Sequence, residues 1–419
     1  MKKIKVLLIT DHIASLSGVA LEARNMVAGL VKTGMFQFVC LGGAIKHPQY
    51  NPQKFEEYGD DVVVYPVDGY GDQGTYRTIM RMERPDIAMI FTDPRFFVHF
   101  WSMANEIRPN LPIVYYHVWD NKPVPLFNKA YYDSNDVICT ISKLTDEVVR
   151  EVSPTVECHY VPHSFDVDVF KPQPESVVEQ FKKSSLKERY DKDKFIVFWD
   201  NRNARRKQSG TLVFWFKEFL DKVGHDKAML VMHTDVKDPN GQDLEVIAER
   251  LGMVNGEVIF SQAKLDNPTM AMMYNMADVT VSISDAEGFG RSVGGSLSCG
   301  TPVIVTKTGG MQDQASDGET TFGFMIEPAA RSIIGSQDVP YIYEDRVSKE
   351  DFLDCLEKMY NMPKEERKRL GLLGREHVIK NFELKRYVRQ WDEILTKTYE
   401  TRGSWKTRKN YNRFSLVEI

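Results

Sequence analysis

Cysteine is scarce in this chain of 419 residues: five are present, at 40, 139, 158, 299 and 355, and no two form a CxxC pair. That scarcity excludes a disulfide framework and a thiolate zinc site, and it points to a reducing, cytoplasmic setting. Long apolar runs are also missing. No uncharged stretch approaches the ~18 residues of a membrane span, and in the opening MKKIKVLLITDH the apolar run stops at Asp11 and His12, too early for a secretory signal. A basic field is lacking as well: 54 Lys and Arg stand against 59 Asp and Glu, for a net charge of -5. This disfavours nucleic acid as a partner. The acidic excess of the first half likewise gives no indication of peripheral membrane contact. Only the tail from Thr401 is basic, with Arg402, Lys406, Arg408, Lys409 and Arg413 against Glu418. No repeat or low-complexity tract occurs.

What is present is ordinary globular composition, 42% hydrophobic and 27% charged, in a chain too long for one core. Short apolar runs (KVLLIT, FQFVCLGG, VVVYPV, DIAMIF, IVYYHV, VICTIS, HYVPHS) alternate with helix-like segments such as VALEARNMVAGLVKTG, for which Gly34 is a plausible stop. The alternation pauses in a proline-bearing, charged stretch and restarts with FIVFWDN, GTLVFWFKEFLDKVG, AMLVMHTD, EVIFSQ, VTVSIS and PVIVTK. This pattern predicts an α/β chain of two Rossmann-like parallel-sheet domains, at 1–172 and 193–385, with a linker at 173–192 and a C-terminal helix and tail at 386–419. Open parallel sheets bind ligands at the carboxyl ends of their strands, so two of them are expected to share a cleft there.

The loops after the strands therefore carry the chemistry. VTVSIS is followed by DAEGFG and then by RSVGGSLSCG, a small-residue helix start whose amides, unobstructed near Gly288 and Gly290, suit an anionic phosphate. A carboxylate there, Glu287, would repel phosphate and is better suited to accepting hydrogen bonds from ligand hydroxyls. After FIVFWDN, the run Arg202, Arg205, Arg206 and Lys207 offers cations for a diphosphate, with Arg202 and Lys207 the chosen pair. In the first half, the loop after the opening strand offers Asp11, His12, Ser17 and Gly18, and the loop after IVYYHV offers His117 and Asp120. A histidine at a strand end can hydrogen-bond a ligand or serve as acid or base; in an apolar run it is more often a satisfied core residue, and His163 and His233 are read that way. DxD occurs at Asp166/Asp168 and Asp191/Asp193, both in or near the linker, so no metal is expected.

At this point the chain resembles the retaining GT-B glycosyltransferases, family 4 in particular. The resemblance is carried by SGVALEARNMVAGL, VPHSFDVDVFKP, EGFGRSVGGSLSCGTPVIVTKTGG and LGREHVIKNF in that order. It implies an acceptor-side domain at 1–172, a nucleotide-sugar domain at 193–385 and a last helix that crosses back to the first domain. It further implies that Ser17 and Gly18 approach the donor diphosphate, that His117 lies near the donor sugar, and that Arg202 and Lys207 are the basic pair on the diphosphate. Glu287 takes the place of the first acid of an E-x7-E pattern, and Arg206, Phe289, Gly290, Arg291 and Ser292 complete the donor set. The second acid is missing, since position 295 is Gly295. The implied activity is metal-independent transfer of a hexose from a nucleoside diphosphate sugar, with a slight lean to GDP-mannose over UDP-glucose or UDP-GlcNAc, to a hydroxyl of a glycan or other acceptor. The alternatives are an NAD(P)-dependent oxidoreductase, for which GFGRSVG fails at Val293 and Lys307 replaces the expected acid, and an inactive sugar-nucleotide-binding protein, favoured only by Gly295.

Overall fold

The computed structural model describes residues 2–411; Arg413 and Glu418 of the basic tail lie outside the described residues. The chain forms two compact units. The first comprises residues 2–164, Gly335–Ile342 and 384–411; the second comprises Phe165–Ile334 and Tyr343–Glu383. Both are Rossmann-like.

In the first unit, β1 (Ile4–Asp11), β2 (Phe36–Gly43), β3 (Val62–Pro66), β4 (Ile87–Thr92), β5 (Ile113–His117), β6 (Val137–Thr140) and β7 (Glu157–Tyr160) form one sheet in the order β3-β2-β1-β4-β5-β6-β7. Every pairing is parallel, and the strands between the two edges are buried on both faces, which is why they read as continuous apolar runs; the edge strands β3 and β7 are only partly buried. The helix Gly18–Lys32 follows β1, and Gly34, just past its end, takes φ +75°. The last long helix, Leu384–Arg402, packs on Gly18–Lys32, with Val388 against Gly29. Basic residues of the tail meet acids of this unit: Arg402 pairs with Glu157 and Arg408 with Asp136, each at 2.9 Å.

In the second unit, β8 (Phe195–Asp200), β9 (Ala228–His233), β10 (Val258–Ser261), β11 (Val279–Ser282), β12 (Val303–Thr306) and β13 (Gly323–Ile326) pair in parallel in the order β10-β9-β8-β11-β12-β13. The strand order reverses direction between β8 and β11, so the loops leaving those two strands flank the crevice where such sheets take ligands. Those loops are 201–208 and 283–290. The segment 173–192, read from sequence as a linker, instead carries the helix Glu175–Leu186, whose neighbour is the second unit's helix Asn267–Met276. Three strands were not legible: β13, and the pair Ala330–Ile334 and Ile342–Arg346.

Candidate donor site of the second unit

The helix Arg291–Ser298 begins where the β11 exit loop turns. Gly290, its N-cap, has φ +85°, and a Cβ there would lie 2.7 Å from Met311 Cγ. Only glycine suits this corner. The turn is fixed from below by the amide of Gly310 donating to the Glu287 carbonyl at 3.0 Å. No side chain caps the helix at Gly290, and the dipole at such a helix start favours an anion.

Glu287 points inward, not to solvent. Its carboxylate is 6% exposed and accepts a hydrogen bond from the ammonium of Lys207, also 6% exposed, with Ser284 Oγ at 3.4 Å and the Arg206 guanidinium at 3.6 Å. Arg206 also donates to the Ala286 carbonyl. Burial pushes the Glu287 carboxyl up, but Lys207 and then Arg206 overcome that and hold it below its ordinary value. Glu287 is therefore a carboxylate at neutral pH. A lysine ammonium has three protons, so Lys207 can serve Glu287 and a ligand oxygen together.

The remaining cations are placed differently. Arg202 is mostly exposed and forms a two-point pair with Asp238, at 2.6 and 3.1 Å, away from Glu287. Arg205 grips Glu344 at 2.5 and 2.9 Å, and Arg346 joins Glu344 at 3.0 Å and Asp285 at 2.6 Å. Burial, against Gln208 and Arg346, pushes the Asp285 carboxyl up to about 6. The converging pair is thus Arg206 and Lys207, rather than Arg202 and Lys207. Sequence reasoning missed Asp285, Glu344 and Arg346. Asp285 stands two positions from Glu287, while no local pattern marks the EDR triplet at 344–346 as part of a site.

Phe289 and Ser292 are buried; the Phe289 ring packs 6.1 Å from Phe165, and the Arg291 guanidinium lies over the Phe165 ring at 5.0 Å. Gly295 has a steric reason. A Cβ there would meet the Tyr274 ring at 2.8 Å, so the space of the missing acid is filled by an aromatic side chain. Both DxD pairs form local turns, with Asp166 Oδ1 accepting from the amide of Asp168 and Asp191 Oδ1 from that of Asp193. Among the described residues, no group of three or more His, Cys, Asp and Glu is arranged to hold a metal ion.

In the first unit, Ser17 caps the helix Gly18–Lys32: its hydroxyl accepts from the Ala20 amide at 3.0 Å and donates to Asp11, which also accepts from Tyr70 at 2.8 Å. His12 bonds Gln53 at 3.1 Å, and Asp120 lies in the loop after β5. His117 corrects the expectation of a ligand contact. It has no exposed surface, and its two ring nitrogens are held at 2.7 Å by the hydroxyls of Tyr115 and Tyr132, so it is a satisfied core residue. Burial lowers its pKa to about 3, and does the same to His163, which bonds Tyr116 at 2.8 Å. Because both folded values lie below the unfolded one, their contribution to stability is complete above pH ~6.5 and is lost as pH falls. We expect each to cost about 2 kcal/mol between pH ~6 and ~4.5. Denaturant midpoints measured across that window test this, and His117→Gln should show the shallower fall; a midpoint independent of pH would contradict it.

Residues 180–376 match the model of the family described as glycosyl transferases group 1. A D-inositol 3-phosphate glycosyltransferase of Thermomonospora curvata is 34% identical over 86 residues, 20% of this chain and 19% of that protein. The match thus spans about a fifth of the curated relative. Among solved structures, sucrose-phosphate synthase from Thermosynechococcus elongatus superposes with TM-score 0.74 at 15% identity, covering 95% of this chain and all of that one. A glycosyltransferase from Rickettsia africae gives 0.71 at 16%, covering 96% and 100%. Anabaena HepE, in complex with UDP and glucose, gives 0.67 at 15%, covering 94% and 100%. At these identities the structural likeness speaks for the fold.

Proposed function

We propose that this chain, whose residues 180–376 match glycosyl transferases group 1, transfers a hexose from a nucleoside diphosphate sugar to a hydroxyl acceptor, with retention at the anomeric carbon and without a metal. The observation that carries the reading is the buried Lys207–Glu287 pair, with Arg206 beside it, at the turn where the helix Arg291–Ser298 begins. One charge of each sign is fixed at the strand-order reversal, as a ligand with an anionic leaving group and a hydroxylated ring requires.

Breaking the bond between sugar and phosphate leaves negative charge on the departing diphosphate and positive charge on the ring. Preorganised donors aimed at the departing oxygens are the largest catalytic contribution such a site can make. Lys207, Arg206 and the amides at 290–292 provide them, and Glu287 accepts from the sugar hydroxyls and orients the ring. In this reading the leaving phosphate takes the acceptor proton on the same face, so no enzyme nucleophile is required. Ser17, Gly18 and the acceptor side fall to the first unit.

Incubation with UDP-glucose, UDP-GlcNAc and GDP-mannose in the presence of a chelator tests this. Release of nucleoside diphosphate, with a product whose anomeric configuration matches the donor, is expected. Inversion, a strict metal requirement, or no turnover with any donor would each overturn the corresponding part.

A further inference from the structure

Beside the Lys207–Glu287 pair, the carboxyl edge of the second sheet carries polar side chains not yet assigned a role. Asp200, the last residue of β8, is in register with His233, the last of β9, and His233 with Ser261, the last of β10. His233 Nδ1 lies 3.0 Å from Ser261 Oγ. The Tyr274 hydroxyl, on the helix Asn267–Met276, donates to Asp200 Oδ2 at 2.7 Å. That ring occupies the space a side chain at Gly295 would need, so the glycine and the tyrosine together fix where Asp200 points. The next residue, Asn201, has its amide nitrogen sealed from solvent without a hydrogen-bond partner among the described residues. The β8 exit therefore holds more polarity than the fold itself uses.

Position decides what such an acceptor would meet. β8 lies between β9 and β11. Glu287 leaves from β11 on one side, the Asp200–His233–Ser261 row runs to the other, and Lys207, whose charge bears on both Asp200 and Glu287, lies near both. A nucleoside diphosphate sugar has the same layout: hydroxyls of the transferred hexose at one end, phosphates in the middle, and a ribose diol directly beyond them. With phosphates at Lys207 and hexose at Glu287, the group reaching Asp200 is the ribose.

We propose that Asp200 accepts hydrogen bonds from the ribose hydroxyls of the donor and that Tyr274 is its positioning residue. This rests on the donor reading given above. The test is calorimetric binding of UDP and GDP, their 2′,3′-dideoxy counterparts, and inorganic pyrophosphate, to the full chain and to Asp200→Asn and Tyr274→Phe. The unmodified chain should prefer the diol form by about ten- to hundredfold, the span of a hydrogen bond to a charged group. Asp200→Asn should bring that ratio to within about threefold while pyrophosphate affinity stays within about twofold, and Tyr274→Phe should fall between. An unchanged diol preference in Asp200→Asn, with its thermal midpoint preserved, would overturn the assignment of Asp200 alone. Failure of the unmodified chain to bind either nucleoside diphosphate would overturn the donor reading, and this one with it.

Discussion

Glu287→Gln is expected to cost the second unit about 3–5 kcal/mol, because it leaves the buried Lys207 ammonium without its counter-charge. Lys207→Met should cost less, since Arg206, 3.6 Å from Glu287, remains to compensate the carboxylate. The double variant Lys207→Met, Glu287→Gln removes both charges of the pair and should recover part of the lost stability, Asp200 still lacking the nearby Lys207 charge. Turnover should not follow. Each single variant and the double are expected to fall at least about a hundredfold, as when one fixed donor to a developing charge is removed. Denaturant midpoints alongside initial rates separate the two effects. A double variant that regained both stability and turnover would reduce the pair to a structural ion bridge.

Gly295→Ala gives the second large effect, and its sign should depend on Tyr274. In the unmodified chain the new methyl lies 2.8 Å from the Tyr274 ring, and overpacking of this kind costs about 1–3 kcal/mol. Gly295→Glu, the acid that the resemblance would place there, should be worse still, since it adds an unpaired charge in a buried helix. In a Tyr274→Leu background the ring atoms that clash are gone, and alanine in a helix interior then gains about 0.5–1 kcal/mol over glycine. The same sign in both backgrounds would show that the ring is not what excludes a side chain at 295.

The strands of both parallel sheets except β13 were legible because strands covered on both faces require uninterrupted apolar runs, as in KVLLIT and FIVFWDN. The pair Ala330–Ile334 and Ile342–Arg346 was not, because ARSII and IYEDR mix charge with apolar residues; the first is exposed and the second only half-buried. Glu287 stood out through its glycine surroundings. Its partner Lys207, 80 positions away, was proposed as a phosphate ligand on charge and on the resemblance, and no local signal distinguished it from Arg202, which is taken by Asp238. His117 was ambiguous for a similar reason: Tyr132, which satisfies one of its nitrogens, comes from a later helix. Gly295 was visible as a missing acid, but the tyrosine that explains it was not.

In crystals soaked with a nucleoside diphosphate hexose, phosphate oxygens are expected within hydrogen-bond distance of Lys207 Nζ and of the amides at 290–292, with hexose hydroxyls on the Glu287 carboxylate. Phosphates bound elsewhere on the second unit, with the Lys207–Glu287 pair untouched, would contradict this placement.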